Sequence, residues 1–447
     1  MTQSPSAATS VSHQPPAPRH PEWSRSAVIY QLNQRQFTAE GTFRAAEGHL
    51  QRIRDLGIGI VWLMPIHPIG EINRKGELGS PYAVKDYFAV NPEFGDLSDL
   101  KHFVDAAHAL GLRVIVDWVA NHTAWDNVLV GSHPEWYARD WKGDFRPTPW
   151  WDWDDIIDLD YDNDELREYM VEAMCYWVRE ADIDGYRCDV AGFVPIDFWE
   201  RVRVELDAIK PVFMLAEWET RDLHTRAFDA SYAWSWNAAM HHIAQHKTDL
   251  EPLRVYYAWN ARSWPRDAMR MTFVSNHDLN AWDGTEFEQF GDALESTIVL
   301  SVVGEGIPLI YNGQEAGNDR RLLFFDKDRI DWRDHALGEL YAGLFALKRE
   351  HPALWNGAWG APMTRVTNTA ETSVLTFVRQ HRSAPGSSAG ENTVFAAFNL
   401  SPHERKFALA EGPYEGVYQS AFSTDTVELL PGATLTLPAW GHLVLTR

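Results

Sequence analysis

Four short segments of this chain end strand-like runs with charged side chains: DWVANH at 117–122, GYRCD at 185–189, FMLAEWE at 213–219 and FVSNHD at 273–278. A parallel barrel gathers the ends of successive strands around one mouth, so segments far apart in sequence would converge there. Asp189, Glu217 and Asp278 would then share a cleft with Arg187, His122 and His277. Three carboxylates with an arginine and two histidines suit the breaking of a glycosidic bond. Arg187 and Asp189, at i and i+2 on a strand, project to the same face. The guanidinium is expected to hold the Asp189 carboxyl below its usual pKa and ionised, as a nucleophile at an anomeric carbon must be. Glu217 follows the apolar run PVFMLA, which should raise its pKa and keep it protonated for transfer to a leaving oxygen. On spacing alone, Glu219 competes for that acid role. His277 and Asp278 are adjacent, so both reach one ligand only where the strand breaks into a loop.

The elements that would position these residues alternate along the chain. Strand-like runs occur at 27–32, 58–65, 112–119, 183–189, 212–217, 230–234, 270–275 and 308–312. Helical patterns fall between or after them at 43–57, 97–111, 164–181, 196–208 and 338–350. Such alternation predicts parallel strands with crossover helices, and eight strands close a barrel. The interval 121–160, dense in Trp, Pro and Asp, breaks the rhythm after the third strand. A long connection of this kind inside a compact domain is usually functional. Beyond 353 the pattern changes to alternation at 373–380, 392–400 and 433–447, predicting a C-terminal antiparallel β-domain with a loop at 382–392.

Composition narrows the function classes. The formal net charge of -23 repels nucleic acid and anionic membranes but leaves a neutral substrate indifferent. The 21 Trp residues offer faces that suit sugar rings, although buried packing is their default use. Two cysteines, Cys175 and Cys188, make no disulfide framework and need no oxidising compartment. Residues 1–22, rich in Ser, Ala, Pro and Gln, read as a disordered leader rather than a signal peptide. No run is long and apolar enough to span a bilayer, so a cytoplasmic location is expected.

With the supporting segments GIGIVWLMPIHP (57–68), SPYAVKDYFAVNPEFG (80–95) and GIPLIYNGQE (306–315), the chain resembles the α-amylase family of glycoside hydrolases, family thirteen. The resemblance runs from about residue 28 to the C-terminus. It implies a (β/α)8 TIM barrel over 23–120 and 161–353, a short B-domain insertion over 121–160, and a C-terminal β-sandwich over 354–447. A B domain this short implies an open site or a simple wall. The resemblance makes Asp189 the nucleophile, Arg187 its positioning partner and Glu217, not Glu219, the acid/base, with Trp218 shaping the leaving-group side. Asp278 becomes the third carboxylate, while Tyr82, His122 and His277 bind the sugar on the non-reducing side. Asp117 is expected to be structural.

The implied reaction is retaining hydrolysis of α-1,4-glucosidic bonds in malto-oligosaccharides or starch-like glucans, with no organic cofactor. An exo-acting α-glucosidase and a transglycosylase of the same family share the carboxylates and stay open. A non-catalytic sugar- or partner-binding homologue would usually lack one of the catalytic groups, and this chain keeps Asp189, Glu217, Asp278 and Arg187. Many relatives bind calcium through the Asn at position 121, a B-domain Asp and a His four residues after the nucleophile. Here that position is Phe193, preceded by Gly192, so no calcium site and no metal ligand is expected, despite the acids Asp152, Asp154, Asp155, Asp158 and Asp160.

Overall fold

In the computed structural model, which describes residues 20–381 and 392–447, eight parallel strands pair in chain order and the eighth returns to the first. They are Ile29–Leu32, Ile60–Leu63, Arg113–Val119, Gly185–Asp189, Phe213–Ala216, Ala230–Tyr232, Met269–Thr272 and Ile307–Tyr311. Each lies within a few residues of its expected position. The period of two along each strand divides the side chains between two cores. Ile29, Trp62, Ile115, Leu215, Met271 and Leu309 fill the barrel interior. Tyr30, Val61, Val116, Tyr186, Cys188 and Met214 pack outward beneath the helices. That alternation turns Cys188 away from the interior, while its neighbours Arg187 and Asp189 point toward it.

Helix Asp164–Ala181 runs as expected, starting where the Asn163 side chain accepts from the backbone N–H groups of Glu165 and Leu166. The expected single helix at 43–57 is instead two, Phe43–Glu47 and Leu50–Leu56, with Gly48 capping the first. Glycine's conformational entropy makes it a weak continuation.

The segment between the third strand and its helix is rooted by an antiparallel pair, His122–Ala124 with Ile156–Asp158, in which His122 faces Asp158. It leaves the barrel ladder intact, because Asp117 still pairs in register with Arg187.

The C-terminal domain is a six-stranded antiparallel sheet faced by the two-stranded pair Arg405–Ala408 and Thr434–Leu437. Its central strands are buried on both faces. Leu375, Phe377, Ala396 and Phe398 pack toward the barrel, whereas Val378, Phe395 and Ala397 pack against Phe407 and Leu437. The expected single run at 433–447 is two strands, Thr434–Leu437 and His442–Thr446, in different sheets. The expected loop at 382–392 lies outside the described residues up to 391, as does the leader up to 19. His20 Nδ1 lies 2.6 Å from Asp229 Oδ1, tying the first described residue to the barrel. Among the described residues no helix is long and apolar enough to cross a membrane.

Candidate active site

The charged residues at the strand ends surround one buried guanidinium. Arg187 is fully buried, and its Nη1 donates to Asp117 Oδ1 at 2.7 Å and to Asp189 Oδ1 at 2.8 Å. Its Nη2 lies 2.9 Å from Glu217 Oε1, a Coulombic pair off the hydrogen-bond direction. The Arg187 side chain also sits over Trp62, whose ring centroid is 5.1 Å away. Register explains this hub: Asp117 is the cross-strand partner of Arg187, and Asp189 lies two residues on along the same face.

One guanidinium cannot neutralise three buried carboxylates, and protons make up the difference. Burial pushes Glu217 up to about 8, with the charges of Asp189 and Asp278 adding to it and Arg187 opposing. Burial likewise pushes Asp189 up to about 7 and Asp117 up to about 6, in both cases against the pull of Arg187. The expectation of a depressed Asp189 is therefore corrected. Arg187 does lower that carboxyl, but desolvation is the larger effect. Asp189 and Glu217 are both raised, and of the two only Asp189 accepts a hydrogen bond from Arg187, which favours its ionised form over that of Glu217.

Glu217 leaves the fifth strand directly, and its Oε2 accepts from the Val190 N–H at 2.8 Å. Val190, a β-branched residue, adopts φ 36°, a left-handed conformation that is costly and characteristic of functional turns. Glu219 is committed elsewhere, holding Arg270 and accepting from the Ser235 hydroxyl at 2.6 Å.

The seventh strand ends at Thr272, earlier than expected, and the chain turns helical from His277 on. The irregular stretch between lets His277 and Asp278 both face the cavity. His277 Nδ1 lies 2.7 Å from Gln31 Nε2, its Nε2 lies 2.6 Å from the Tyr82 hydroxyl, and that hydroxyl donates to Asp117 at 3.0 Å. The network assigns the hydrogen of His277 to Nε2, with Asp278 Oδ2 at 3.3 Å from the same nitrogen. Burial lowers His277 and His122 to about 4, so both are neutral near pH 7. His122 Nε2 lies 4.0 Å from Asp189 Oδ2.

Tyr82, His122, Asp189, Glu217, His277 and Asp278 thus line one cavity of about 540 Å³, and Arg187 lies beneath it. Gln31 was not anticipated. Its signal was a polar side chain inside the apolar run AVIYQL. Aromatic walls were also missed: Trp151 and Trp153 from the inserted segment stack at 4.9 Å, and Phe324 stacks on Tyr82 at 6.2 Å. At the other end Phe193 packs on Trp218 at 5.1 Å, and a Cβ on Gly192 would fall 2.1 Å from the Trp218 ring. Only glycine leaves room for that indole.

At the calcium position that the resemblance implies, Asn121 Nδ2 donates to Asp158 at 3.2 Å, as Thr148 does to the same carboxylate. With donors turned inward and Phe193 in contact with Trp218, these side chains do not fit a shell of about six to eight oxygens.

A family described as "Alpha amylase, catalytic domain" matches residues 29–339. A maltogenic alpha-amylase from Thermotoga neapolitana, described as noncanonic, is 31% identical with a TM-score of 0.84, covering 94% of this chain and 98% of that one. An alpha-amylase from Lactobacillus plantarum is 31% identical with a TM-score of 0.82, covering 95% of this chain and 99% of that one. Among curated proteins, an alpha-amylase of Haloarcula japonica is 27% identical over 355 residues, 75% of this chain and 50% of the relative. This chain therefore spans half the length of that relative. A cyclomaltodextrinase from a Bacillus species is 26% identical over 402 residues, 76% of this chain and 68% of the relative.

Proposed function

The chain belongs to the α-amylase catalytic-domain family, and from that premise we propose that it is a retaining glycosidase of α-1,4-linked glucans. The observation that carries the reading is the cluster of Asp189 and Glu217 on Arg187, at the floor of a cavity lined by Tyr82, His122, His277 and Asp278. In this reading Asp189 attacks the anomeric carbon, and the glycosidic bond breaks as Glu217 passes its proton to the departing oxygen. Expulsion of the first sugar leaves Glu217 ionised. It then removes a proton from water, which displaces Asp189 and restores the α configuration.

Arg187 holds both carboxylates in place and favours the ionised nucleophile as the pair gives up its proton. Asp278 and neutral His277 hold sugar hydroxyls, and Gln31 positions the imidazole through Nδ1. The names of the relatives, among them maltogenic alpha-amylase and cyclomaltodextrinase, support short glucans as substrates. Two free, buried cysteines support a cytoplasmic location.

A second reading, transfer to a sugar acceptor, is favoured by the apolar surface of Phe193 and Trp218 beside Glu217. A sugar face covers such a surface better than a lone water does. The test is a time course on maltoheptaose followed by proton NMR and chromatography. Hydrolysis gives shorter products with the α anomer first, and transfer adds products longer than the substrate. The β anomer appearing before mutarotation would refute the double displacement.

A further inference from the structure

The short inserted segment was expected to leave the cavity open or to give it a simple wall. The cavity is bridged on the side of Tyr82 by the segment 71–79, which the reaction scheme does not use. Lys75 lines the cavity. Its Nζ lies 2.9 Å from Asp154 Oδ1 and 3.3 Å from Asp155 Oδ1, and donates to the Asp152 carbonyl at 2.7 Å. These contacts fasten the segment to the wall that carries Trp151 and Trp153.

Its other flank is fastened to the opposite wall. The Glu77 N–H donates to Asp326 Oδ1 at 2.6 Å and the Leu78 N–H to the Phe325 carbonyl at 3.2 Å. A Cβ on Gly76 would lie 2.6 Å from Phe325 Cβ, so the two backbones meet without a gap. Arg74 stiffens the loop from within, donating to the carbonyls of Gly70 and Ile69 at 2.8 and 3.1 Å. The wall that carries Trp151 opens toward Phe193: Trp151, 54% exposed, stands 6.5 Å from Phe193, 37% exposed, and both face solvent.

We propose that the cavity is blind on its non-reducing side, so that this protein takes only the free end of an α-glucan and removes a short unit from it, with Lys75 determining that specificity. The proposal rests on the glucan-cleaving reading above. An α-1,4 chain continues through the 4-hydroxyl of each glucose, and a chain running on past the ring held by Tyr82 and His277 would have to cross the Lys75 bridge. The cavity of about 540 Å³ is of the size of a small-ligand site, and Lys75 is part of its lining.

The test uses the full chain and two probes, 4-nitrophenyl maltoheptaoside and the same compound with a 4,6-O-ethylidene group on its non-reducing glucose, with products separated by chromatography. The wild type should cleave the blocked compound at least about a hundredfold more slowly than the free one, a steric discrimination read as a ratio of kcat/KM. Lys75→Ala, with Lys75→Met as a second variant, should narrow that ratio about tenfold and lengthen the released products. Lys75 is part-exposed, and circular dichroism melts would verify folding.

Wild-type rates within about threefold for the two probes would overturn the blind end, since no discrimination would remain. An unchanged ratio in both folded variants would overturn the role of Lys75. Cleavage of neither probe would overturn the glucan reading itself, and the unblocked probe separates that failure from the others.

Discussion

Replacing Glu217 by Gln preserves the side-chain volume while removing the proton and the charge. The two carboxylate oxygens have different partners, the Val190 N–H at 2.8 Å and Arg187 Nη2 at 2.9 Å. Glutamine has one oxygen, so if it serves Val190 its amide hydrogens face the guanidinium. That mismatch costs about 1–3 kcal/mol. Relief from burying a carboxyl whose pKa has been pushed up to about 8 offsets it, so the variant should fold.

Catalysis has no such offset. A positioned general acid contributes roughly 10²–10⁴-fold, equivalent to about 3–5 kcal/mol of barrier, and kcat on maltoheptaose should fall by that factor. With α-glucosyl fluoride the leaving group departs without a proton, so the first displacement should persist. Added azide should then accelerate turnover by replacing the water that no longer has a base. Asp189→Asn is the contrasting control, because loss of the nucleophile should suppress both substrates alike. The assay compares initial rates on the two substrates near pH 6. If Glu217→Gln keeps more than about a tenth of wild-type turnover on maltoheptaose, or loses both substrates equally, the acid/base assignment fails. Glu219 is then an unattractive substitute, being held by Arg270 and Ser235.

Two further outcomes follow from the charge balance and the inserted segment. Glu217, Asp189 and Asp117 have folded pKa values near 8, 7 and 6, above their ordinary carboxyl values. Between about pH 4 and 8 the native protein therefore holds protons that the unfolded chain has released, and these groups make stability fall as pH rises through that window. Melting curves of Glu217→Gln against wild type should diverge in the variant's favour as pH increases from 5 to 9; a constant difference would refute the burial argument. Chelation by EDTA should leave the melting temperature unchanged, because Asn121 and Asp158 are bonded to each other rather than arrayed for a cation. A large drop reversed by calcium would show that the acidic segment supplies a shell despite Phe193.

The periodicities written in the chain determined the barrel and the location of its chemistry. Apolar runs of strand length between amphipathic helices leave few alternatives to a closed parallel sheet, and their charged C-terminal ends fall at one mouth. Arg187 and Asp189 could be paired from i, i+2 spacing because that contact is local. Helix 164–181 was legible because its cap and apolar stripe are local too.

Only the tertiary structure decided the electrostatic balance. The expected effect of Arg187 on Asp189 was correct in sign but smaller than desolvation, and burial depends on what every other strand places around the pair. Gln31 and Asp117 gained their roles through ladders joining residues tens of positions apart. The break of the seventh strand at Thr272 gave His277 and Asp278 one orientation toward the cavity. The Lys75 bridge depends on three loops meeting, and no sequence period records where loops meet. Local spacing encodes which face a side chain takes; depth, shared charge and closure are properties of the assembled whole.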